Sequence, residues 1–135
     1  MLADRRAQAL LPVLGALLAV SLAACQPNLP LTFVEVDEAQ AALQAGAAAL
    51  DVRSREEQAA GVLPQARLLP LEEPTFPVRV GSLDRAATYI VYCRTDNRSH
   101  EVAEHLVALG FEDVRVLTGG VHAWVAAGNR LLPAE

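Results

Sequence analysis

The chain of 135 residues has room for one domain with a real core and not for two. Its formal net charge is −5, and all eleven of its basic residues are arginine. That balance excludes the basic stripe a nucleic-acid-binding surface needs, so no nucleic-acid partner is expected.

The first residues read as a targeting segment rather than as fold. Arg5 and Arg6 form a short basic region, and Ala9 to Leu22 is an apolar run interrupted by Pro12, Gly15 and Ser21. A bilayer-spanning helix needs roughly 20 apolar residues, and this run is shorter. Leu22-Ala23-Ala24-Cys25 follows and resembles the lipobox of bacterial lipoproteins. The resemblance implies a signal peptide over 1–24, lipidation at Cys25, and a membrane partnership through the lipid anchor. The expected location is the cell envelope, on its periplasmic or extracytoplasmic face. Gln26 after the anchor favours an outer-membrane destination in a host with two membranes. With Cys25 lipidated, Cys93 has no intrachain partner, so a disulfide framework is excluded.

Residues 25–31 contain two prolines and read as a tether. Thr32 to Val36 alternates like a short strand. Asp37 is placed to cap a small helix that stops at Gly46. Ala48 to Val52 is a compact apolar run of the buried-strand type. Ser54 and Glu57 make a capping box for a short helix ending near Gly61. Ala66 to Leu69 reads as a strand closed by Pro70. Glu72 to Leu83, with two prolines and a glycine, reads as a loop. Thr88 to Tyr92, β-branched and aromatic without charge, is the clearest strand. Val102, Ala103, Leu106, Val107 and Leu109 have helical spacing, stopped by Gly110. Val114 to Leu117 reads as a strand, and Val121 to Ala127 as a short helix after Gly119-Gly120. Strands alternating with short helices indicate an α/β domain over 32–132, with a mostly parallel central sheet flanked by short helices on both faces.

In such sheets ligands bind beyond the carboxyl ends of the strands, and Cys93 sits at such an end. The stretch "YCRTDNRS" places it before a short polar loop and a helix start. Three features there favour negative charge on a sulfur. The helix start presents unpaired N–H groups and a partial positive charge, with Asn97 or Ser99 available to cap it. Arg94 and Arg98 add two cations. A tight strand-to-helix turn also aims successive backbone N–H groups into an anion nest. The plainer alternative is a cysteine buried as a small apolar residue.

The same loop resembles the active loop of rhodanese-type sulfurtransferases. "LDVRSREEQAAGVLPQARLLPL" and "LTGGVHAW" resemble further motifs of that family, in the expected order, so the resemblance runs from about Thr32 to Arg130. It implies that Cys93 is the nucleophile, carrying sulfur as a persulfide between a donor such as thiosulfate and a thiophilic acceptor. Small sulfur-containing anions, or protein persulfide donors and acceptors, are the implied partners. The substrate-binding residues would be Arg94, Thr95, Asp96, Asn97, Arg98 and Ser99. Asp51 and Arg53 match the family's Asp-x-Arg and are expected to form a structural ion pair supporting the loop. Related dual-specificity phosphatases have a longer Cys-to-Arg loop, so the shorter spacing here favours a sulfur-sized site. Three departures from the family pattern stand out. Val62 replaces a common His, Gln65 replaces a Gly, and Asp96 replaces the loop's usual Gly. Aspartate at 96 adds negative charge beside the nucleophile, and it is strained if the position needs a left-handed backbone.

His100 and His105 are five residues apart and diverge on a helix, which makes a poor metal pair. Glu101 and His105 are read as a surface pair, His122 as a residue without an obvious partner, and Trp124 as packing the last helix on the sheet. No metal site or cofactor motif stands out, and Gly119-Gly120 reads as a tight turn. Two other functions remain open: a non-catalytic binding module of the same fold, and a thiol redox relay through Cys93.

Overall fold

The computed structural model describes residues 29–135. The expected signal peptide, the lipidation site Cys25 and residues 26–28 of the tether lie outside the described residues. Strands and helices alternate in the order β1 (Leu31–Val34), α1 (Val36–Gln44), β2 (Ala48–Asp51), α2 (Arg55–Ala59), β3 (Ala66–Leu68), α3 (Phe76–Gly81), β4 (Thr88–Tyr92), α4 (Asn97–Ala108), β5 (Asp113–Leu117) and α5 (Gly120–Ala126). The strands form one five-stranded sheet in the order β1-β5-β4-β2-β3, and every pair is parallel. This is the expected α/β architecture with short helices on both faces. Among the described residues, no helix is long and apolar enough to cross a membrane.

Alternation along β4 sorts the core into two layers. Tyr89, Val91 and Cys93 pack on the face covered by Phe76 and Val80 of α3 and by Val102, Ala103 and Leu106 of α4. Ile90 and Tyr92 pack on the opposite face with Ala39, Ala42 and Leu43 of α1 and with Val121 and Trp124 of α5. Trp124 therefore packs the last helix on the sheet as expected. From β2 the chain moves outward to β3, whereas from β4 it moves the other way to β5. The carboxyl ends of β2 and β4 thus flank the switch point where open parallel sheets place their ligand sites.

Local sequence explains most of the boundaries. Ser54 and Glu57 form the expected capping box at the start of α2: Ser54 Oγ accepts from the Glu57 N–H, and Glu57 Oε2 accepts from the Ser54 N–H. The start of α1 differs from the reading above. Its cap is Glu35, boxed with Glu38, so the helix begins at Val36 ahead of Asp37, and β1 spans Leu31–Val34. Residues 72–83 are not all loop. Pro77 stands in the first turn of α3, where a missing N–H costs nothing, and Phe76 and Val80 anchor that helix on the core. Gln65 has φ 58, a left-handed conformation, which is the reason a glycine suits its place. Val62, the other departure at this edge, pairs with Leu132 in an isolated antiparallel bridge.

A buried ion pair joins β2, α2 and β4. Arg53 Nε donates to Asp51 Oδ1 at 2.9 Å, and its Nη2 donates to Oδ2 at 2.6 Å. The Arg53 guanidinium also donates to the carbonyls of Glu57 and Gly61. The Tyr92 hydroxyl donates to Asp51 Oδ2 at 2.6 Å and accepts from the Leu63 N–H at 3.1 Å. Burial and the Asp51 carboxylate push the Tyr92 phenol far above its ordinary range, so it stays a donor. Burial opposes the Arg53 cation, but the bonds and charge of Asp51 outweigh it, and its pKa is raised. Tyr92→Phe leaves the Leu63 N–H without an acceptor and Asp51 short of a donor. It is expected to destabilise the domain by about 1–3 kcal/mol, measured by denaturant unfolding.

Candidate active site

The active loop runs from the end of β4 into α4. Cys93 is 1% exposed, and its Sγ lies 3.5 Å from the Ser99 Oγ. Ser99 is buried in the first turns of α4 and donates its hydroxyl to the Asp96 carbonyl at 2.8 Å. The serine thus closes the loop beneath the sulfur. Arg94, Thr95 and Asn97 are exposed, while Asp96 and Arg98 are half-buried. Of the six residues after Cys93, Ser99 is the one whose side chain lies within bonding distance of the sulfur, while those of Arg94, Asp96 and Arg98 turn to His122, Gly119 and Glu57.

Two neighbours fix the loop. On the β5 side, the Val121 N–H donates to the Cys93 carbonyl at 3.0 Å, and the His122 N–H to the Arg94 carbonyl at 3.3 Å. This approach requires glycine at 120. A Cβ there would lie 2.6 Å from the Thr95 carbonyl oxygen and closer still to that of Cys93. Gly120 also has φ 54, so shape and conformation make the same demand. On the β2 side, Arg98 forks onto Glu57, with bonds of 2.7 and 2.8 Å to its two carboxylate oxygens. The Arg98 bonds hold the Glu57 carboxyl at about 2, well below its ordinary 4.5. The same bonds raise Arg98 above its ordinary value. Glu57 therefore caps α2 and clamps the loop at once.

The α4 start is built differently from its sequence reading. Neither Asn97 nor Ser99 is the cap. Asp96 stands at the cap position, makes no side-chain capping bond and has φ −139, well outside the left-handed region. The expected backbone strain at Asp96 is therefore absent. Its Oδ1 instead accepts from the Gly119 N–H at 2.8 Å.

Asp51 and Arg53 form the ion pair that the resemblance implied, with Arg53 immediately before the Ser54 cap. The remaining histidines separate. His100 stacks against Phe33 with ring centroids 4.8 Å apart, and His105 lies 6.4 Å from the Phe76 ring. His122 does have a partner: its Nε2 accepts from Arg94 Nε at 3.4 Å. Four contributors escaped the sequence reading. Glu57 was visible only as a capping residue, and Tyr92 only as a strand residue. The role of Gly119-Gly120 was hidden because the turn meets a loop more than twenty positions away. A buried tyrosine next to a strand-end cysteine is the one local signal that could have shown Tyr92 needs a polar partner.

Comparison with known proteins agrees with this geometry. The rhodanese-like domain family profile matches residues 35–127. A sulfurtransferase of Allochromatium vinosum is 30% identical over 86 residues, covering 64% of this chain and 78% of that protein. A thiosulfate sulfurtransferase (GlpE) of Pseudomonas putida strain GB-1 is 36% identical over 92 residues, covering 68% and 78%. The crystal structure of a rhodanese-like domain protein from Staphylococcus aureus superposes with a TM-score of 0.66 at 32% identity, covering 77% of this chain and 99% of that one. A parallel sheet with a cysteine loop at its switch point, and a matching profile from Glu35 to Ala127, make this chain a member of the rhodanese-like domain family.

Proposed function

We propose that the protein is a thiosulfate-type sulfurtransferase working through a persulfide on Cys93. The observation that carries this reading is the loop around Cys93, in which the Cys93 and Arg94 carbonyls are turned onto α5 while the Cys93 Sγ lies 3.5 Å from Ser99 Oγ in the first turns of α4. The Cys93 thiolate attacks the outer sulfur of thiosulfate. A new S–S bond forms, the S–S bond of the donor breaks, and sulfite leaves with the electron pair. The terminal sulfur then carries the negative charge, where backbone amides and the start of α4 stabilise it. A nucleophilic acceptor such as cyanide takes that sulfur as thiocyanate and returns the thiolate. No oxidant enters and no proton need move. Arg94 stands exposed at the mouth as a cation for the incoming anion, whereas Arg98 is already committed to Glu57. The depth of Cys93 admits a small sulfane-sulfur donor in preference to a bulky disulfide.

The reading extends to location. Cys25, in the Leu-Ala-Ala-Cys context, carries lipid and tethers the domain to the outer side of a membrane. The support is sequence alone. Cys25→Ser is expected to block processing and leave the chain at the full mass of the precursor. Recovery of membrane-bound wild type with residues 1–24 still attached would count against the tether.

Two tests bear on the site. Cys93→Ala is expected to reduce thiosulfate:cyanide turnover to the uncatalysed background and to prevent the mass gain of one sulfur atom after thiosulfate treatment. The fold should survive, at a stability cost of about 1 kcal/mol. A Cys93→Ala variant that still turns over sinks the mechanism. Wild type that gains oxygen from peroxide but no sulfur from thiosulfate favours a redox relay instead. The Glu57–Arg98 clamp makes a pH prediction. Glu57 titrates at about 2 in the fold against an ordinary 4.5, so its contribution is complete above the ordinary value and vanishes as pH falls through the lower one. The pair is partly exposed, so solvent screening limits the contribution to about 1 kcal/mol or less. The stability gap between wild type and Glu57→Gln should therefore close on acidification across that window, read from unfolding midpoints at matched ionic strength.

A further inference from the structure

We infer that Asp96 is a positioning residue whose carboxylate fastens the active loop to the start of α5 and so keeps the loop's amides turned toward Cys93. The inference rests on the persulfide reading of that loop. It begins from a side chain that does not do what its place suggests. An aspartate at a helix cap ordinarily accepts from the N–H groups of its own helix. Asp96 makes no such bond; its Oδ1 reaches across to the Gly119 N–H at 2.8 Å. The receiving segment is the one that holds the loop. The N–H groups of Val121 and His122, just beyond Gly119-Gly120, take the carbonyls of Cys93 and Arg94.

A trans peptide is planar, with its C=O and N–H pointing in opposite directions. When the Cys93 carbonyl is drawn onto α5, the Arg94 N–H must point away from α5. The Arg94 carbonyl does the same for the Thr95 N–H. Val121 and Trp124 of α5 belong to one core layer, and Cys93 belongs to the other. Amides aimed away from α5 are therefore aimed to the side on which the nucleophile lies. Among the described residues, the N–H groups of Arg94 and Thr95 donate to no backbone carbonyl. They remain available to a terminal persulfide sulfur.

This arrangement has a weak point, and Asp96 stands on it. Gly119 and Gly120 are consecutive and both left-handed, with φ 76 and φ 54. Glycine is the residue with the most backbone freedom, so two in succession make a pliable hinge at the place where rigidity matters. A charge-assisted bond from Asp96 to the first of them limits that freedom. It also gives the carboxylate a donor, which offsets the repulsion a bare carboxylate would exert on an anionic substrate. The acid at this position is thus a second fastening between loop and turn.

The test compares Asp96→Ala with Asp96→Asn, because asparagine keeps an oxygen acceptor and discards the charge. Asp96→Ala is expected to lower kcat for thiosulfate:cyanide transfer by about tenfold, corresponding to loss of one charged hydrogen bond. KM for thiosulfate should stay within about twofold, since the donor's own contacts remain. Asp96→Asn is expected to recover most of the lost rate. Hydrogen exchange at the Gly119 amide, measured without any donor, should quicken in Asp96→Ala and much less in Asp96→Asn. That second readout separates two failures. If wild type forms no persulfide, the sulfurtransferase reading falls, while Gly119 exchange still reports the fastening. Unchanged Gly119 exchange in Asp96→Ala overturns the inference whatever the activity shows. So does an increase in turnover in both variants, which would make Asp96 a repelling charge. Should Asp96→Ala fail to fold, Asp96→Asn decides: loss of about tenfold there would show that charge, not the acceptor, matters.

Discussion

The arrangement around Cys93 depends first on the buried pair of Asp51 and Arg53. A lone carboxylate or guanidinium at this depth would be costly, so each requires the other. Together they leave hydrogen-bonding capacity to spare, and the surrounding chain is organised by using it. Arg53 takes the carbonyls of Glu57 and Gly61, which sets the exit of α2. Asp51 takes the Tyr92 hydroxyl, and Tyr92 takes the Leu63 N–H. Gln58 completes the ring by donating to the carbonyls of Asp51 and Arg53. Tyr92 immediately precedes Cys93, so the end of β4 is held from below by this network. Removing either partner would leave the other charge buried and uncompensated.

From that base the loop is clamped on two sides by unlike means. Toward β2 the clamp is ionic and side chain to side chain, Arg98 on Glu57. Toward β5 it is mostly backbone to backbone, with α5 amides on loop carbonyls and one carboxylate reinforcing them. The difference has a chemical consequence. An ionic clamp commits Arg98 to Glu57, leaving Arg94 as the exposed arginine of the loop. A backbone clamp fixes the peptide groups after Cys93 and leaves the Arg94 and Thr95 N–H groups without a backbone acceptor among the described residues. On the proposed persulfide route, an anion at Cys93 would be met mainly by such oriented dipoles, which need no reorganisation when charge develops on the outer sulfur.

Much of this was legible in the sequence, and the reasons are local. The uncharged β-branched run of β4, the Ser54–Glu57 capping box and the spacing of Val102, Ala103 and Leu106 each depend on neighbours a few positions away. Those patterns determine an α/β chain with Cys93 at a strand end and a helix start behind it. The motif order from Asp51 to Trp124 was enough to indicate the family. Helix α3 was obscured because Pro77 reads as a breaker, and only the seating of Phe76 and Val80 on the core shows it to be a first-turn proline. The cap of α1 fell to Glu35 over Asp37 because β1 ends earlier than its alternation suggests.

What the tertiary structure alone decided is which partner each polar side chain takes. Sequence offered Arg98 as a substrate cation, Asp96 as a charge beside the nucleophile and His122 as a residue without a partner. Their actual partners, Glu57 of α2, Gly119 of the turn before α5 and Arg94 of the Cys93 loop, meet at the carboxyl edge of the sheet. Sheet order sets those meetings, since β2 and β5 lie on either side of β4, although β3 stands between β2 and β4 in sequence. Hydrophobic periodicity reports the face a residue turns to the core and carries no information on which strands are neighbours. A hydrogen bond between distant loops leaves no periodic trace. The chain thus determines the place of Cys93 and its frame by local pattern, while the electrostatics of the site arise only when parallel strands bring their ends together.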